Sequence, residues 1–174
     1  MSAFLKKIVC IGVIVAGFLT NNVFAQCNVT KTKKNNITTI QTGEQYEYLR
    51  SGKQYYGLSV KTVATQKANN MAYKVVIKYT GGILLDQPVN IILKLIDGYA
   101  LAGRIKFVKD QKTDDKKTKT RIYEFVLSEN DLNNLKQTPL QQIDIVFGKQ
   151  RPPVTMNIND QSFMQLQVTC LQNS

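Results

Sequence analysis

Residues 89 to 102 constrain the fold more than any other stretch. Val89, Ile91, Leu93 and Leu95 alternate with Asn90, Ile92, Lys94 and Ile96, and side chains alternate across a strand. One face of that strand is wholly apolar, and its β-branched residues resist a helical reading. Asp97-Gly98 then matches the two positive-φ positions of a type I′ turn, so the chain from Tyr99 onward is expected to return beside it. The core is therefore expected to be β-sheet.

The same alternation recurs along the chain. Tyr56, Leu58, Val60 and Thr62 form one face of a strand over 55–63, and Tyr73, Val75, Ile77 and Tyr79 do so over 71–80. Gly81-Gly82 ends the latter. Further strands are expected at 37–40 as an edge, at 104–109 with Gly103 at a bulge, and at 121–127, where Tyr123, Phe125 and Leu127 share a face. Residues 142–147, 154–158 and 163–170 complete the set, the last with Met164, Leu166, Val168 and Cys170 pointing inward. Residues 43–53 read equally as a strand or a turn. Ser128-Glu129-Asn130-Asp131 has the form of a helix start, with Ser128 as cap and Asp131 reciprocating. About eight short strands and one short helical turn predict an all-β fold, an antiparallel immunoglobulin-like β-sandwich. The chain has no Trp and its outer cysteines lie near its ends, so the antibody-type core pattern is absent.

Residues 1–25 read as a signal peptide. Lys6-Lys7 give the positive segment, Ile8 to Leu19 the apolar one, and Val23-Phe24-Ala25 the cleavage site. The apolar run is shorter than the roughly 20 residues that span a bilayer as a helix. Residues 26–174 then form one domain, expected to be secreted or periplasmic. Losing Lys6 and Lys7, but no acid, leaves it 21 basic and 12 acidic side chains, a net of about +9. Cys10 leaves with the signal peptide, so Cys27 and Cys170 are expected to pair as a disulfide clamping the ends together.

Composition removes most catalytic chemistry. The chain has no His, which excludes Ser-His and Cys-His nucleophile pairs and His-ligated zinc. No Gly-x-Ser-x-Gly, Ser-x-x-Lys or phosphate-cradling loop occurs. Carboxylates remain, at Glu44, Glu47, Asp86, Asp97 and Glu124, and a glycan hydrolase built on two of them is the alternative reading. Asp110, Asp114 and Asp115 lack the alternating oxygen ligands of a calcium loop, and lysines surround them. No catalytic residue, metal or cofactor is expected.

The reading that follows is a non-enzymatic binding protein. Lys109, Lys112, Lys116, Lys117, Lys119 and Arg121 cluster on one predicted hairpin with a polar tip, suited to phosphate or carboxylate groups. Tyr46, Tyr48, Tyr55 and Tyr56 offer stacking surfaces for sugars or for another protein. The expected partner is a protein or an anionic polymer of the cell surface, such as an acidic polysaccharide or lipid head groups, and not nucleic acid. A structural subunit of an envelope assembly is a further alternative.

Overall fold

The computed structural model describes residues 28–51, 54–82, 88–102, 105–111, 118–148 and 152–174. Residues 1–25, where a signal peptide is expected, and Cys27, Asp86, Gly103, Arg104, Lys112, Lys116 and Lys117 lie outside the described residues. Among those described, two antiparallel sheets and two helices are formed, and the protein is all-β in class. The first sheet holds β1 (Val29–Lys34), β2 (Ile37–Thr42), β3 (Gln45–Ser51), β4 (Gln54–Lys67), β5 (Asn70–Gly82), β8 (Ile105–Gln111) and β9 (Thr118–Leu127). Its order is β1-β2-β4-β5-β9-β8, with β3 also paired to β4. The second sheet runs β11-β10-β6-β7, from β6 (Asn90–Leu95), β7 (Ala100–Ala102), β10 (Leu140–Val146) and β11 (Val154–Asn157).

The predicted alternation decides which face is buried. Tyr56, Leu58 and Val60 of β4, Val75, Ile77 and Tyr79 of β5, and Tyr123, Phe125 and Leu127 of β9 share one core with Ile91, Leu93 and Leu95 of β6. Ile143 and Ile145 of β10 join them. Val89 departs from its predicted face and is exposed, because the strand begins one residue later. The stretch 43–53 resolves as strand β3, in register with β4 from Gln45 opposite Val60 to Ser51 opposite Gln54. β2 lies end to end with it along the same edge of β4, opposite Val63–Lys67.

Three local expectations are corrected. Asp97-Gly98 does not form a type I′ turn: among residues 95–99 only Gly98 has a positive φ, +88°. Gly98 N donates to Leu95 O and Leu95 N to Tyr99 O, the three-residue hairpin that ends in a glycine bulge. The side chain of Asp97 favours this by accepting from Tyr99 N at 2.9 Å. The two-positive-φ turn occurs instead at Asn35 and Asn36 (φ +50° and +61°), so residues 29–42 fold as the hairpin β1–β2 and β1 takes the edge.

The third correction is larger. Residues 163–170 are not a strand but most of helix α2 (Phe163–Gln172). Phe163, Met164, Val168, Cys170 and Leu171 are buried while Leu166 is exposed, which is the spacing of one helical face. Met, Gln and Leu supply the helical propensity, and only Val168 and Thr169 are β-branched. α2 packs on β2 and β4 and against α1 (Glu129–Gln137), and Leu171 closes a cluster with Ile40 and Ala64. α1 is the predicted helical turn, extended. Asp131 N donates to Ser128 Oγ at 3.1 Å and Ser128 N to Asp131 Oδ2 at 2.9 Å, the expected capping box. No helix among the described residues is long and apolar enough to cross a membrane.

Candidate functional site

The face of the first sheet turned away from the shared core carries the candidate site. Register places its side chains in rows across the strands. Tyr48, Gly57, Thr80, Thr120 and Gln111 make one row, from β3 through β4, β5 and β9 to β8. Tyr46, Ser59, Lys78, Ile122 and Lys109 make the next. The first row, with Tyr46, Ser59 and Lys78 of the second, lines an open trough of about 460 Å³ that also takes in Glu44 and Thr118, and Ile122 and Lys109 continue the second row beyond it.

Glu44 is the polar hub. It sits in the junction between β2 and β3, and its carboxylate accepts from Lys78 Nζ at 2.5 Å, Ser59 Oγ at 2.6 Å and Tyr46 Oη at 3.0 Å. Lys61 Nζ stands at 3.6 Å. Burial alone would raise its pKa, but these donors outweigh it and hold the carboxyl at about 2 against an ordinary 4.5. The same bond to Glu44 raises the Tyr46 phenol.

The two tyrosines are held differently. Tyr48 is 75% exposed and Tyr46 55%. A Cβ built at Gly57 would meet Tyr48 Cε1 at 3.5 Å and Thr80 Cβ at 3.6 Å, so the Tyr48 ring lies over the bare backbone of β4. Beside it Thr80 and Thr120 join hydroxyls at 2.6 Å. Of the other predicted stacking residues, Tyr56 is buried and stacks parallel on Tyr79 at 6.1 Å in the core. The side chain of Tyr55 lies outside the described residues.

The basic cluster divides across the sheet. Lys109 is exposed on the trough side, opposite Ile122, with no ion pair among the described residues. Lys119 Nζ and Arg121 Nε instead approach Asp110 at 2.5 and 3.4 Å, with Arg121 and Asp110 facing each other in register on the core side. Lys112, Lys116 and Lys117 belong to the segment between Gln111 and Thr118, two residues that both line the trough.

The carboxylates considered for hydrolysis are dispersed. Glu44 pairs with Lys78 and Glu124 with Lys74 at 2.5 Å. Glu47, 3% exposed, turns to the core side and accepts from Asn159 Nδ2 at 2.7 Å and Asn159 N at 3.3 Å. Asp97 is occupied by its turn. Among the described residues no three His, Cys, Asp or Glu side chains are grouped to hold a metal ion.

Sequence reading named Tyr46, Tyr48 and Lys109 but missed Gly57, Thr80 and Thr120 as parts of one surface. Their only sequence signal is their parity within neighbouring strands, which becomes informative once the registers are known. Comparison with protein-family models, curated proteins and solved structures finds no match.

Proposed function

We propose that the chain is an exported binding protein without catalytic chemistry, which holds an anionic cell-surface polymer against the β8–β9 hairpin. One observation carries this reading: the residues bracketing the lysine-rich segment, Gln111 and Thr118, stand on the same trough as two exposed tyrosines. A polyanion at the β8 end of this face meets Lys109, and the neighbouring Asp110 carboxylate is engaged by Lys119 and Arg121. The excess of positive charge over the chain favours the same class of ligand. Export rests on the residues of the signal segment, and either secretion or a periplasmic location fits it.

We further read the two sheets as an immunoglobulin-like sandwich, supported by their antiparallel pairing and shared core. The Cys27–Cys170 bridge is part of this proposal. Asn28, which follows Cys27, lines one cleft with Cys170, and Asn28 O accepts from Gly43 N at 3.1 Å.

The test uses inorganic polyphosphate, a polyanion without sugar. Replacing Lys109, Lys112, Lys116 and Lys117 by Gln should weaken its binding at low salt and flatten the salt dependence. Unchanged affinity would remove the hairpin from the site, and capture of a protein retained at high salt would favour the assembly reading.

A further inference from the structure

We infer that the outer-face trough is a sugar platform, and that the polymer it takes is an acidic polysaccharide whose pyranose ring stacks on Tyr48; this rests on the anionic-polymer reading above. Strand tyrosines ordinarily pack on a side chain directly across the strand pair. Tyr48 has only Gly57 opposite it. One edge of its ring stands over the Gly57 position, 3.5 Å from where a Cβ would be, and most of its surface is left to solvent. An aromatic face in that posture suits the C–H face of a sugar ring, which is apolar while its rim carries hydroxyls.

The rim groups have counterparts within the same two rows. Thr80 and Thr120 share one hydrogen bond between them, and each hydroxyl has capacity for more. The Gln111 amide stands next in the row. Tyr46 is fixed by its bond to Glu44, which Ser59 and Lys78 hold in turn, so its position costs little ordering when a ligand arrives. Lys109 lies in the Tyr46 row on the far side of Ile122, placed for the carboxylate of a uronic acid. The trough, at about 460 Å³, falls within the usual range for small-ligand sites. It is an open trough on a sheet, which lets a polymer run through.

Gly57 provides a test that removes no proposed sugar-contacting side chain but displaces the Tyr48 ring. Valine there keeps strand propensity but drives its methyls into the Tyr48 ring. The full chain is titrated with oligogalacturonate and, separately, with inorganic polyphosphate of similar charge, and the melting temperature of each variant is recorded. Tyr48→Ala and Gly57→Val should each weaken oligogalacturonate at least tenfold, with polyphosphate affinity and melting temperature little changed, while Tyr48→Phe should bind like the parent. Equal losses for both probes, no loss in Tyr48→Ala, or failure of the parent to bind oligogalacturonate would overturn the platform. A neutral glucan of equal length that binds as tightly would overturn the acidic assignment. The hairpin reading fails separately, if the lysine variant leaves polyphosphate binding unchanged.

Discussion

Glu44 shows how one residue ties the site to the stability of the fold. Its folded pKa, about 2, lies below its ordinary value of 4.5. The stabilisation it brings is therefore complete above about pH 4.5 and is lost as pH falls from there toward 2. Urea titrations at stepped pH should show stability dropping over that interval, and Glu44→Gln should flatten the drop. An identical pH profile in the variant would mean the carboxylate contributes nothing to acid lability. Ala68 offers a second test at this scale. It holds φ +52° in the β4–β5 turn, a conformation that costs a residue with a Cβ about 1–2 kcal/mol. Ala68→Gly should raise stability by about 0.5–1 kcal/mol, after the flexibility glycine adds to the unfolded chain is counted. Neither residue signals its role in sequence. Glu44 reads as one of several acids, because its donors come from three different strands, and Ala68 takes in the fold a conformation that its residue type disfavours.

At the scale of elements, binary patterning was legible wherever both neighbours of a strand are strands. Of the predicted inward sets of β4, β5, β6 and β9, all but the exposed Val89 and the partly buried Tyr73 are buried, since a half-buried sheet enforces period two. It failed at 163–170, where Met164, Leu166, Val168 and Cys170 imitate that period. Phe163 and Leu171, just outside the imitated pattern, complete the helical face. The contrast can be measured. Leu166→Lys should change stability by less than about 0.5 kcal/mol, as for other exposed positions, while Val168→Ala, a buried truncation, should cost about 1–3 kcal/mol. If 163–170 were the predicted strand, both would be costly. The capping box, by contrast, was readable from four consecutive residues, and Ser128→Ala should cost about 1 kcal/mol by denaturant unfolding.

Across the whole molecule, legibility depended on sequence distance. Even the two-residue turns at Asn35-Asn36 and at 68–69 were not read as hairpins, and the pairing of β5 with β9 brings together Tyr73 and Leu127 with a whole second-sheet hairpin between them, which no local signal specifies. The trough exists only after that pairing forms, which is why its tyrosines and its threonines could be named but not assembled. The proposed Cys27–Cys170 bridge belongs to this scale as well. Closing so long a loop would stabilise by up to about 5 kcal/mol on the chain-entropy model. Cys170→Ser should therefore lower the melting temperature markedly, and mass spectrometry of the non-reduced parent should give a peptide joining the two ends; two separately alkylated cysteines would dismiss the bridge.

The β4–β5 arm also fixes a sequence of events. Eleven consecutive pairs, from Gly57 opposite Thr80 to Lys67 opposite Asn70, close through a turn of two residues. This is the cheapest extended structure the chain can nucleate, because almost no loop entropy is spent on it. β9 can dock only after the chain has travelled out through the second sheet and back, so the slow step in folding is that return and not the hairpin. A better turn at residue 68 would then show itself mainly in faster folding, and how long the protein lives once folded is decided at the seam between β5 and β9.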